Sequence, residues 1–228
     1  MQQAMAIEQI YAGLRTQNRT KVLSGFPVSR EFGTSMLEGW GPWFGSLRSG
    51  GVNMGTEFFR GLVYDTGAWS ADTFDTHGDY LLANKWGGPA VDATNADLSA
   101  FTRRGGKLLL YHGWEDPAIP ATGTLDYYDA VLRGTGASAA RQVRLLMMPG
   151  MAHCALGPGP NDFDKVLAIE NWVERDILPD RIIATKFDDD LAVYLGKPAK
   201  PVRTRPLCAW PKTAHYKGTG STDDAENF

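Results

Sequence analysis

Apolar and polar positions fall into two regimes along this chain. From residue 107 onward, short apolar runs alternate with segments of helical period. Lys107 to His112 reads as a strand, and residues 142–148 read as the next one. Between them, 122–133 form an amphipathic helix with Thr122 as its cap and Leu125, Tyr128 and Leu132 on one face, followed by a loop over 134–140. Asp162 is placed to cap another helix, with Val166, Ile169, Val173 and Ile177 as its apolar face, and Ile182 to Thr185 reads as a further short strand. Strands separated by helices of this length predict parallel pairing through crossover connections. The Pro-rich stretch from Lys197 reads as irregular.

Before residue 107 the pattern is weaker. Ala4 to Ala12 has a helical period, with Gly13 as its stop. The stretch to about residue 52 is irregular and aromatic, with Phe26, Phe32, Trp40, Trp43 and Phe44. It reads either as a cap over a ligand site or as a peripheral loop held to the core by its rings. Residues 54–64 fit a weak helix or a buried strand, and Gly61 counts against the helix. A helix is predicted from Thr73 to about Gly87, and a short one from Ala96 to Arg103, capped by Asn95 and ended by Gly105-Gly106. There is no internal repeat.

Composition narrows the function classes. A chain of 228 residues allows one large domain or a domain with an accessory piece. The net charge of −3, with no run of Lys or Arg, argues against a nucleic-acid partner. No apolar run approaches the roughly 20 residues of a membrane span, and Met1-Gln2-Gln3-Ala4 lacks the basic and apolar regions of a secretory signal. The two cysteines, Cys154 and Cys208, leave their pairing open on spacing alone.

Two stretches carry the chemistry: Tyr111-His112-Gly113-Trp114-Glu115-Asp116-Pro117 and Pro149-Gly150-Met151-Ala152-His153-Cys154. Each follows an apolar strand, and in parallel sheets reactive groups sit beyond the carboxyl ends of strands. Asp116 and His153 are therefore candidates for the acid and base of a Ser…Asp…His triad. An Asp-Pro turn and a structural histidine are the plain alternatives. His112 with these two residues is a weak basis for a metal site, because His112 lies within the strand. Trp114, Ile119, Trp40, Trp43 and Phe44 are candidate pocket walls and equally ordinary packing residues. Arg60 is either a surface residue or a contact for an acidic substrate group. No Gly-x-Ser-x-Gly elbow is present: Gly33-Thr34-Ser35 continues as Met36-Leu37, and no serine follows a cysteine.

Several blocks resemble the tannase and feruloyl esterase family of α/β-hydrolases, which includes PET-monoester hydrolases. They are Gly105 to Pro117, Asp126-Tyr127-Tyr128, Pro149 to Cys154 and Gly157-Pro158-Gly159-Pro160, with weaker matches at Asp92 to Ser99, Ile183-Ala184-Thr185 and Arg203 to Cys208. The resemblance implies an α/β fold, the C-terminal part of an α/β-hydrolase (a parallel sheet with flanking helices) preceded by the remnant of a lid domain. Residues 1–70 would be the end of the lid and 71–228 the end of the catalytic domain.

The resemblance also places the family acid on Asp116 and the family base on His153. It implies that Cys154 pairs with a cysteine beside the nucleophilic serine and Cys208 with one at the extreme C-terminus, so that the two do not pair with each other. In the family the serine, the oxyanion hole and the lid's calcium loop lie N-terminal to the stretch matched here. No cofactor is therefore expected of this chain. The expected partners are a small aromatic ester (gallate, hydroxycinnamate or related) and the missing N-terminal half of the enzyme, and the complete family member is expected to be secreted or periplasmic. The chain alone is expected neither to fold stably nor to hydrolyse esters. The rival reading is a catalytically inactive remnant or phenolic-ligand-binding module.

Overall fold

A computed structural model describes residues 2–28, 31, 39–46, 48–136, 139–153 and 155–228. Phe32 and Cys154 lie outside the described residues. The chain divides into two compact units, residues 1–95 with 117–126 and residues 96–116 with 127–228.

In the first unit, helix α1 (Gln2–Ala12) is followed by a small antiparallel pair, β1 (Leu14–Arg15) and β2 (Lys21–Leu23). Gly13 makes the turn from α1 into β1 with φ +77, and a Cβ there would stand 2.4 Å from the Leu23 carbonyl oxygen. Helices α2 (Trp40–Phe44) and α3 (Gly50–Phe58) follow, and α3 runs on into a π-helical turn over Phe59–Val63. The ambiguity over 54–64 thus resolves as helix. A Cβ at Gly61 would meet nothing within 4 Å, so no close approach requires glycine there.

Helix α4 (Gly78–Trp86) begins later than the sequence pattern predicts. The reason is Asp75, whose carboxylate accepts the N–H groups of His77 (3.0 Å) and Gly78 (2.8 Å) and so marks the helix start. Those two donors hold the Asp75 carboxyl below the usual carboxylate range. The short α5 (Gly88–Val91) follows α4. Asp79 is buried and accepts from the Tyr64 hydroxyl, Trp69 Nε1 (3.3 Å) and the Asp75 N–H (2.8 Å). Those donors make burial of the carboxylate tolerable.

The second unit begins with α6 (Ser99–Thr102), a single turn rather than the predicted 96–103 helix. Asn95 does not cap it. Leu98 holds the cap position, and the Ser99 N–H is held by the Asp97 carboxylate at 2.9 Å. Strand β3 (Leu108–Gly113), helix α7 (Ala121–Thr135), the turn α8 (Ala139–Gln142) and strand β4 (Val143–Met148) come next. β3 and β4 pair in parallel and in register from Leu108–Val143 to Gly113–Met148, as the strand–helix–strand pattern predicts. Every residue of β4 is buried, the mark of a central parallel strand. On α7 the buried positions are Ala121, Tyr128, Val131 and Thr135, so Val131 takes the place predicted for Leu132. Thr122 does not cap α7; it lies within the helix, and its hydroxyl donates to the Gly25 carbonyl.

Helix α9 (Lys165–Arg175) is capped by Asp164, which accepts from the Leu167 N–H at 2.8 Å. Asp162, the predicted cap, instead pairs through its backbone with Thr185. The predicted apolar face of α9 is not what it buries. Val166, Val173 and Ile177 are exposed, while Trp172 is fully buried, with Lys107 and Arg144 within cation–π reach of its ring.

β5 (Arg181–Phe187), α10 (Asp190–Tyr194) and β6 (Pro201–Cys208) follow. β6 overturns the irregular reading of the tail. It pairs antiparallel with β5 along its length, and Pro206 fits because proline can sit where no ladder N–H is required. One bridge, Leu146 to Ala209, ties the end of β6 to β4. The resulting core is Leu146, Met148, Met151, Phe163, Ala184 and Leu207.

Candidate active site

The level register of β3 and β4 places two loops side by side at the carboxyl end of the pair. The β3 loop, residues 113–116, is pinned to the other by Trp114 N–H to Met148 O and Glu115 N–H to Met151 O, both 3.1 Å. The two backbones meet at Gly113, where a Cβ would stand 2.1 Å from the Met151 carbonyl oxygen. Only glycine allows that approach.

The β4 loop is tight for the same kind of reason. Gly150 and Gly157 have φ of +79 and +92, a region open to glycine. The Gly159 N–H closes on Gly150 O at 2.9 Å and Ala152 N–H on Leu156 O at 3.2 Å. Leu156 itself is left-handed, with φ +62, which is local strain that the surrounding loop must hold. Lys186 reaches in from β5, donating to Gly157 O at 2.9 Å while pairing with the buried Asp190 carboxylate.

These loops bring Asp116 and His153 together. His153 Nδ1 lies 3.1 Å from Oδ1 and 3.0 Å from Oδ2 of Asp116. The Asp116 side chain is 4% exposed and that of His153 29%. With Nδ1 engaged by the acid, Nε2 is the ring nitrogen turned away from it, the geometry in which an imidazole takes up and returns a proton. The same carboxylate has a second imidazole, since His112 Nε2 lies 3.2 Å from Asp116 Oδ2. The sequence offers His112 only as a weak metal candidate, four residues before Asp116, and the turn after β3 is what folds the acid back onto it. Among the described residues, no group of three or more His, Cys, Asp and Glu side chains is disposed to hold a metal ion.

The candidate pocket walls separate between the units. Trp40 and Trp43 are buried in the first, with the Trp40 ring 5.5 Å from Tyr11 and 5.6 Å from Phe26. Phe44 and Ile119, also in the first unit, are exposed. The Arg60 guanidinium is occupied within its own unit by the Trp69 carbonyl (2.8 Å) and Glu57 (3.3 Å). In the second unit Trp114 meets Trp210 edge-on at 6.0 Å. Both line a cavity of about 370 Å³ with Met147, Leu207, Arg205 and Cys208. Burial lowers the Arg205 guanidinium from its ordinary value, with Arg203 adding to the effect. Cys208 carries a free, half-buried thiol at the end of β6.

Parallel strands with flanking helices, presenting an acid loop and a histidine loop at one end, define an α/β protein of the hydrolase type. In keeping with this, the chain shares its fold with the crystal structure of feruloyl esterase B from Aspergillus oryzae. The match has a TM-score of 0.81 at 23% identity and covers 99% of this chain and 44% of that one.

The sequence matches the tannase and feruloyl esterase family over residues 1–228, and the chain belongs to that family. It is 36% identical over 230 aligned positions to an uncharacterized esterase of Xanthomonas campestris pv. campestris, covering 83% of this chain and 39% of that protein. It is 45% identical over 136 positions to the mono(2-hydroxyethyl) terephthalate hydrolase of Piscinibacter sakaiensis, covering 60% of this chain and 21% of that enzyme. The chain thus spans well under half the length of these relatives. Among the described residues, no helix is long and apolar enough to cross a membrane.

Proposed function

We propose that this chain carries the acid and the base of a serine carboxylic-ester hydrolase acting on aromatic esters. The observation that supports this most is the double contact of His153 Nδ1 with the buried Asp116 carboxylate. In this reading a serine attacks the ester carbonyl. His153 Nε2 takes the serine proton and returns it to the leaving alcohol. Asp116 fixes the ring tautomer and stabilises the imidazolium that forms.

The serine and the N–H donors for the oxyanion belong to a segment outside residues 1–228, since the chain has no nucleophile elbow. Cys154 is tied to a cysteine beside that serine, which restrains the distance over which the proton moves. Cys208, whose thiol is free here, pairs with a different cysteine outside residues 1–228, residues 1–70 are the end of the lid, and disulfide use fits a secreted or periplasmic setting. An aromatic acyl group is favoured by the names of its relatives, which include a mono(2-hydroxyethyl) terephthalate hydrolase, a probable feruloyl esterase and a tannase.

The test is a protein joining this chain to the serine-bearing segment, assayed on methyl ferulate, methyl gallate and terephthalate monoesters. His153→Ala should lower turnover on the order of a million-fold while leaving the joined protein folded. Retention of a tenth of the activity refutes the assignment. Substantial turnover by the 228-residue chain alone overturns the external nucleophile. Phenolic ligand bound without turnover by the joined protein favours the binding-module reading instead.

A further inference from the structure

The Asp116 carboxylate is nearly sealed from water, at 4% exposure, and a buried carboxylate must find donors in the protein. Two imidazoles stand against it. His153 Nδ1 spans both oxygens, at 3.1 and 3.0 Å, and His112 Nε2 meets Oδ2 at 3.2 Å. An ionised carboxylate only accepts, so each ring nitrogen facing it carries its hydrogen. The two histidines therefore face the same acid through different nitrogens.

We propose that His112 is a positioning residue for the Asp116–His153 pair, and that the two rings rest in opposite tautomers, His112 protonated on Nε2 and His153 on Nδ1. The inference rests on the assignment of Asp116 and His153 as acid and base, and deepens it. His112 is 12% exposed in its side chain and sits in strand β3 opposite Met147 of β4, so its ring is carried by the sheet rather than by a loop. Asp116 is carried by the turn that follows.

The His112 hydrogen bond ties the turn's carboxylate back to the strand and limits its rotation. The orientation of Asp116 in turn decides which nitrogen of His153 holds its proton. Free imidazole in a neutral histidine can place its hydrogen on either nitrogen, and a general base must keep Nε2 unprotonated to receive one. His112 acts on the reaction at one remove: it holds the acid, the acid holds the base tautomer, and the base meets the substrate's proton.

The decisive measurement is long-range ¹H–¹⁵N NMR of the histidine rings in the protein that joins this chain to the serine-bearing segment, at a pH where both rings are neutral. The signals are assigned with His112→Gln and His153→Gln variants. The wild-type chain should show His112 as the Nε2–H form and His153 as the Nδ1–H form. Finding His112 in the Nδ1–H form overturns the proposal outright, because that Nε2 has no hydrogen to give to Asp116.

Two substitutions then test the positioning. His112→Gln keeps an amide donor and should leave His153 in the Nδ1–H form. His112→Phe removes the donor and should shift His153 toward the Nε2–H form, with loss of its Nδ1 proton resonance. A His153 spectrum in His112→Phe identical to wild type refutes the positioning role. Backbone amide spectra check folding, and if His112→Phe does not fold, the wild-type tautomers and the Gln variant still decide. The readout is a proton position rather than turnover. Failure of the esterase assignment would show as absent ester hydrolysis with these tautomers intact, and failure of the His112 assignment would show in the spectra themselves.

Discussion

Gly113→Ala probes the contact on which the site depends. The added Cβ would stand 2.1 Å from Met151 O, 2.7 Å from Met151 C and 2.8 Å from Ala152 O. All three are backbone atoms of the histidine loop, so no side chain can rotate aside. A relaxed carbon–oxygen contact lies at about 3.3 Å or more, so the loops must part by more than about 1 Å. Parting breaks the Trp114–Met148 and Glu115–Met151 bonds, each with a net contribution of about 1 kcal/mol. Residual overpacking adds about 1–3 kcal/mol. The expected loss is therefore about 3–5 kcal/mol.

Hydrogen exchange of the β3 and β4 amides reads that loss within the second unit, as a fall in protection of roughly 150-fold at the lower bound. Gly105→Ala is the control. Gly105 has φ +82 and nothing within 4 Å of its Cβ position, so it should cost only the left-handed strain of about 1–2 kcal/mol. If Gly113→Ala keeps wild-type protection in β3 and β4 and leaves the His153–Asp116 contact intact, the close-approach argument fails.

Other perturbations separate neighbouring roles. Asp164→Ala should destabilise α9 by about 1 kcal/mol through loss of its cap, whereas Asp162→Ala should cost less. Thermal denaturation of the two variants side by side decides whether Asp164 or Asp162 caps that helix. Lys186→Met removes the donor to Gly157 O and leaves the buried Asp190 without its cation. A loss on the order of 1–3 kcal/mol is expected, with faster amide exchange over residues 155–157, and unchanged exchange there would show that the lysine does not brace the histidine loop. Asp75 should titrate below an ordinary carboxyl because the His77 and Gly78 N–H groups stabilise its anion. Its depressed folded-state pKa gives stability present above the unfolded value of about 3.9 and lost as pH falls through the folded value. A carboxyl ¹³C titration that places Asp75 at or above 3.9 would contradict this.

The parallel pair β3–β4, the helix between them and the placement of Asp116 and His153 at strand ends were legible from apolar runs and spacing, because those depend on local period and on where parallel strands must end. The family resemblance was legible for the same reason: its blocks are the turns that carry the chemistry. Tertiary contacts decided the rest. The Lys197 tail became strand β6 because β5 offered it a ladder and Leu146 a bridge, neither of which its prolines announce. The cap of α9 moved to Asp164 because the backbone of Asp162 was taken by Thr185. Trp172 rather than the aliphatic stripe was buried, a choice made by the surface the helix meets and not by its period. His112 joined the acid only when the turn after β3 closed, and Gly113 was required only because another backbone passes within van der Waals range. A sequence sets which groups stand at the ends of its strands, and packing between distant segments sets which of them touch.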